Sequence, residues 1–132
     1  MLVASPDKWI RKYFADYSFS IPIYDANSVN EQDTLYMVMS NQTKIKTDDN
    51  KCYKGWDCGI IIEIIQRSQG TQNKGSRVAI NDIENEVITA FNNVSITGYS
   101  LIQKEYDSNS ITTQGINQVI DRQIININLK LK

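Results

Sequence analysis

The sequence contains no histidine, so it lacks the side chain that most often serves as a general base near neutral pH and as a transition-metal ligand. Hydrolase and metalloenzyme chemistry therefore starts at a disadvantage. Cysteine is scarce: Cys52 and Cys58 lie in CYKGWDC with five residues between them, not the two of a redox or zinc pair. Two thiols cannot close a zinc site. A disulfide across so short a loop is geometrically feasible, but MLVASP has no apolar leader segment to favour an oxidising compartment, so two free thiols are expected. The longest apolar run, Gly59-Ile60-Ile61-Ile62 and then Ile64-Ile65, falls far short of the roughly 20 residues that span a bilayer, and no membrane role is expected. An excess of charge is also missing. Fourteen basic and fifteen acidic residues give a net charge of -1, which offers a phosphate backbone no global attraction.

What remains is the size and mix of one domain, residues 1–132, with 41% hydrophobic and 22% charged residues. Ser5-Pro6-Asp7 opens the first element, with Ser5 as N-cap, Pro6 at the first helical position and Asp7 favourably placed against the helix dipole. Trp9, Ile10, Tyr13, Phe14 and Tyr17 recur at helical spacing, which predicts an amphipathic helix over Pro6–Asp16 whose aromatic stripe is core or subunit contact. Ser20–Asp25 reads as a short strand, and Pro22 confines it to an edge or a strand start. Thr34–Ser40 is rich in strand formers, and Asn41–Asp57 carries turn chemistry, so together with the strand that follows it forms a long hairpin.

Gly59–Arg67 has isoleucines on both parities, as in a central strand covered on both faces or buried in a subunit contact. Ser68–Gly75 reads as a loop. Arg77–Phe91 places Ile80, Ile83, Val87 and Phe91 on one helical face, and Asn92-Asn93 ends that helix. Tyr99–Tyr106 reads as a strand and Asp107–Asn117 as a polar connector. In Val119–Lys132 the residues Ile125, Ile127, Leu129 and Leu131 alternate with polar ones, the mark of a half-solvated antiparallel strand. The implied architecture is α+β: a mostly antiparallel twisted sheet of four to five strands, two α-helices packed on one face, and a long hairpin loop.

No constellation of catalytic, cofactor-binding or metal-ligating residues emerges. Glu63 sits among isoleucines; Asp82, Glu84 and Glu86 occupy a polar helix face; and Gly55, Gly59, Gly70 and Gly75 do not have phosphate-loop spacing. Lys44, Lys46, Lys51 and Lys54, interleaved with Tyr53 and Trp56, form the one local basic cluster, and Asp48, Asp49 and Asp57 dilute it. Protein contact is therefore preferred to nucleic acid there. The candidate partner-contact residues are Lys46, Lys51, Tyr53, Lys54 and Trp56 on the arm, with Asp107, Ser108, Asn109, Thr112 and Thr113 in the second polar stretch. Trp56 has two readings, an anchor for an adjacent subunit or a side chain folded back on its own domain.

The order of elements carries a resemblance. IPIYD (21–25), TLYMVMSNQ (34–42), GIIIEIIQRSQGTQNKG (59–75), the helix INDIENEVITAF (80–91), GYSLIQKEYDSNS (98–110) and VIDRQIININLKL (119–131) together resemble the tail-completion, tail-terminator and head-to-tail joining proteins of tailed bacteriophages. The resemblance implies a structural virion protein without catalytic residues. It implies a homo-oligomeric ring, hexamer or dodecamer, at the neck or tail end. The ring would be made in the host cytoplasm and would join the portal or connector to tail or neighbouring ring proteins, with at most passing contact with packaged DNA. The surplus of isoleucine fits a homo-oligomer, in which subunit contact absorbs apolar surface that two short helices leave uncovered. The alternative is a small monomeric bacterial adaptor or immunity-type binding protein.

Overall fold

The computed structural model describes residues 6–25, 34–50, 53–69, 77–115 and 118–132. In chain order these form α1 (Asp7–Asp16), β1 (Ile23–Asp25), β2 (Leu35–Asn50), β3 (Tyr53–Gln69), α2 (Arg77–Asn92), β4 (Leu101–Gly115) and β5 (Gln118–Leu131). The strands make one sheet in the order β1-β2-β3-β5-β4. β1 is parallel to β2 and every other pairing is antiparallel. The α+β class and the mostly antiparallel sheet are as the sequence predicts.

The isoleucines of β3 explain its central place. Ile60, Ile62 and Ile64 point to the helix-bearing face and are buried beside Met37 and Met39 of β2 and Ile125, Ile127, Leu129 and Leu131 of β5. The helices close this core with Ile10 and Phe14 from α1 and Ile80, Ile83, Val87, Ala90 and Phe91 from α2. The opposite parity of the same strands makes a second, smaller cluster. Tyr36, Val38 and Ile65 are buried there with Tyr24 and Ile120 against them, and neither helix contributes to it. Apolar residues on both parities of β3 thus reflect cover on one face and a sparse aromatic and aliphatic layer on the other.

The ends of the helices follow local chemistry. The carbonyl of Pro6 accepts hydrogen bonds from the amides of Trp9 and Ile10 at 2.9 and 3.0 Å, so the helix proper begins at Asp7, one residue after the predicted start. Ser5, the expected cap, lies outside the described residues. α2 ends at Asn92, beside the predicted asparagine pair, and carries no basic residue in its last turn. Lys104 of β4 takes that role: its Nζ donates to the carbonyls of Asn92 at 2.6 Å and Phe91 at 3.2 Å, where the negative end of the helix dipole favours a cation. The chain then turns through Gly98, whose φ of 89° is open to glycine, with the Tyr99 amide donating to the Ile96 carbonyl at 3.1 Å.

Two polar stretches read as loops are in fact strand. β2 continues to Asn50 and β3 starts at Tyr53, so most of Asn41–Asp57 is a paired hairpin and not a loop. Likewise β4 runs to Gly115 through most of Asp107–Asn117. The reason in β4 is pairing without burial: from Gln103↔Lys130 it matches β5 residue for residue down to Gly115↔Gln118 while most of its residues stay exposed. An edge strand wetted on both faces shows no hydrophobic alternation in its sequence. Of the expected loop Ser68–Gly75, Ser68 and Gln69 belong to β3 and the rest lies outside the described residues.

Candidate assembly surfaces

Nine of the ten contact residues expected from sequence are described, and they fall in two places on the sheet. Lys46 sits in β2 opposite Trp56 of β3, and Tyr53 and Lys54 open β3, with Tyr53 opposite Asn50. Lys51 lies outside the described residues. β5 ends at Leu131, level with Trp56, so the described pairs Thr47↔Gly55 and Asn50↔Tyr53 lie past the end of β5, with β2 and β3 alone paired there. Trp56 stands at the base of that extension, half-buried against the core of its own domain. Cys58, two residues on, is buried in the same core, and Cys52 lies outside the described residues.

The other five are on β4. Asp107, Asn109 and Thr113 are exposed and share one parity with Glu105 and Ile111, on the face that carries no helix; Asp107 accepts a 2.8 Å hydrogen bond from Asn126 Nδ2 of β5. Ser108 and Thr112 have the other parity and turn their hydroxyls inward. Thr112 Oγ1 donates to Asp121 Oδ1 at 2.7 Å, and Ser108 Oγ donates to Glu84 Oε1 of α2 at 2.8 Å. Ser108 also accepts from Gln123 Nε2. Gln123 Oε1 in turn accepts from Ser110 Oγ and from Arg77 Nη2, both at 2.7 Å, and Arg77 lies 3.6 Å from Asp121.

Asp121 and Gln123 are the buried polar residues of the described chain, and this network is what satisfies them. Sequence reasoning missed it, although one signal was available. Val119, Asp121, Gln123 and Ile125 share the inward parity of β5, and two polar residues in that series ask for polar partners. Replacing Gln123 with alanine should cost about 1–3 kcal/mol in chemical denaturation, because Ser108, Ser110 and Arg77 lose one shared partner together. An unchanged midpoint would mean that water replaces the amide without loss.

On the helix-bearing side, the exposed flank of α1 and the turn after α2 border a shallow groove of about 380 Å³, lined by Trp9, Tyr13, Tyr17 and Ile96 among others. The Tyr13 hydroxyl donates to the Ala90 carbonyl at 2.6 Å, joining the two helices. Burial pushes the Tyr13 phenol above its usual range, and the neighbouring Tyr17 adds to the shift. The neutral phenol is the form the fold favours, so its contribution is complete below the ordinary tyrosine value of ~10 and is lost as pH rises through the higher folded value. Stability should therefore decline in the alkaline range above ~10, and Tyr13→Phe should flatten that decline when urea midpoints are compared across pH.

No group of histidine, cysteine, aspartate or glutamate among the described residues could hold a metal ion. Among the same residues no helix is long and apolar enough to cross a membrane. The class defined by these features is an α+β domain with a helix-covered sheet face, a projecting hairpin and a long polar edge strand. No family model and no curated protein sequence matches the chain. Six solved chains match it. One of them, from the virion of a native gene transfer agent particle, is 11% identical, superposes with a TM-score of 0.54, and is matched over 82% of this chain and 78% of its own length. At that identity the likeness is one of fold.

Proposed function

We propose that this chain is a structural virion protein: a subunit of a homo-oligomeric ring at the head–tail junction or tail end of a phage-like particle, joining portal or connector to tail components. The observation that carries the reading is the shared fold with a chain of a gene transfer agent virion, which extends over most of both chains. The described surfaces support it. They offer a projecting hairpin and exposed Ile102, Tyr106 and Ile111 along an outer strand, features suited to assembly and not to turnover of a small molecule.

Particles produced without this chain should accumulate as unjoined heads and tails under the electron microscope, and adding the purified protein should restore joining. Light scattering of the protein alone, or with its neighbours in the particle, should report a closed oligomer. Complete particles formed in its absence, or a protein that stays monomeric and outside the particle, would instead favour the adaptor or immunity-type alternative.

A further inference from the structure

β4 is the outer strand of the sheet, and along Leu101–Gly115 its only described partner is β5. At roughly 3.4 Å per residue this is an open edge about 50 Å long. Such an edge is a template for another strand, and proteins blunt it by keeping it short or by placing proline, lysine or a bulge on it. The opposite edge is treated in that way: β1 is three residues long and Pro22 immediately precedes it. β4 has no proline, and its one irregularity lies at the very start, between Leu101 and Gln103. Its single lysine, Lys104, is held by the carbonyls that end α2.

The residues of the strand select what fits beside it. A second copy related by a two-fold axis perpendicular to the sheet brings β4 against β4 in antiparallel sense, with all helices on the same face and residues of like parity opposite one another. Charge excludes the registers centred in the first half of the strand. An axis at Lys104, Glu105 or Asp107 sets that residue against itself, and an axis at Tyr106 sets Glu105 against Asp107 twice. Axes at Ser108, Asn109 and Ser110 set Ile111 against Glu105, Asp107 and Asn109 in turn. An axis at Ile111 sets the two isoleucines together, Ser110 against Thr112, Asn109 against Thr113, Ser108 against Gln114 and Asp107 against Gly115. No charge then meets a charge, every polar residue meets a polar one or glycine, and the exposed Ile111 gains an apolar partner. An axis beyond Ile111 shortens the shared edge. The helices leave room as well: α2 packs over β3 and β5, inboard of β4, which sets the two copies of α2 about 14 Å apart across the axis, beyond the roughly 8–10 Å of helices in contact.

We infer that β4 of one copy pairs antiparallel with β4 of a second copy about a two-fold axis at Ile111, joining two five-stranded sheets into one. The paired segment is Asp107–Gly115, about 30 Å of shared edge held by main-chain hydrogen bonds. This is a small contact beside the roughly 800 Å² per partner of a standard interface, so the pair separates on dilution. The contact is isologous and closes at two copies, so it does not depend on the ring proposed above. Neighbours round a ring meet through unlike surfaces, and within a particle this contact would join subunits of two stacked rings.

Disulfide capture reads the register, in a Cys52→Ser background in which the remaining Cys58 is buried. Residues directly opposite on antiparallel strands have Cα atoms about 4.5–5.5 Å apart, within disulfide reach. Under a mild oxidant Ile111→Cys should give a covalent dimer. Asn109→Cys and Thr113→Cys should each stay unlinked alone, since each lies four residues, about 13 Å, from its own copy, and the two should link when mixed. Linking of either one alone as readily as Ile111→Cys overturns the pairing. If Ile111→Cys fails to link in a sample that light scattering shows to be a larger oligomer, the pairing falls and the ring reading stands. Charge gives a second measure without oxidant. Sedimentation over a concentration series should show Ile111→Lys and Ile111→Glu each raising the dimer dissociation constant by about tenfold, and an equimolar mixture of the two restoring it, as expected only of a residue that faces its own copy. Failure of that rescue, with both variants folded by circular dichroism, also overturns the pairing.

Discussion

Truncating Leu129 to alanine should destabilise the domain by about 2–5 kcal/mol, the range for removing a large aliphatic side chain from a core that cannot collapse around the space. Leu129 is 1% exposed and sits in β5 between Cys58 of β3 and Lys104 of β4, facing the layer that both helices cover. Its neighbours are strand residues fixed by pairing on both sides, which limits relaxation into the cavity. Ile111→Ala is the natural control, because Ile111 lies on the outer strand and is 46% exposed; it should change stability by less than about 0.5 kcal/mol. Urea denaturation of the two variants reads both values. Equal effects would mean that β5 does not present Leu129 to the core.

Leu129 also shows why this part of the fold was legible. Its strand alternates apolar and polar residues without a break from Ile125 to Lys132, and only a half-buried antiparallel strand needs that pattern. The helices were equally legible, since Ile10 and Phe14, and Ile80, Ile83, Val87 and Phe91, lie at helical spacing and all reach the core. The outer parts of the sheet were not. Ser108, Ser110 and Thr112 face inward yet are polar, because their partners Asp121, Gln123 and Glu84 are polar too, so neither parity of β4 looks buried. Lysine, aspartate and asparagine in the hairpin similarly suggest a turn, while the backbone stays paired as far as Asn50 and Tyr53. Pairing partners distant in sequence set both outcomes, and local propensity does not report them.

The projecting hairpin carries the prediction with the largest expected effect on assembly. Thr47 and Gly55 face each other across it, one step beyond the Lys46↔Trp56 pair that is level with the end of β5. Replacing Asp48–Lys54 with Asn-Gly between that facing pair makes a two-residue turn of the kind antiparallel strands favour. It keeps Trp56 against the core and Lys44 and Lys46 in β2, but removes Lys51, Tyr53 and Lys54. Since the excised residues lie beyond the last level at which three strands are paired, the circular dichroism spectrum and thermal midpoint should change little. Incorporation into particles should be abolished, because the hairpin strands run past the end of β5 and the excised segment brings a tyrosine and two lysines, residue types that anchor protein contacts. Complete particles built from the shortened protein would show that the tip is not a docking element. A shortened protein that unfolds would show that the hairpin belongs to the fold's stability instead.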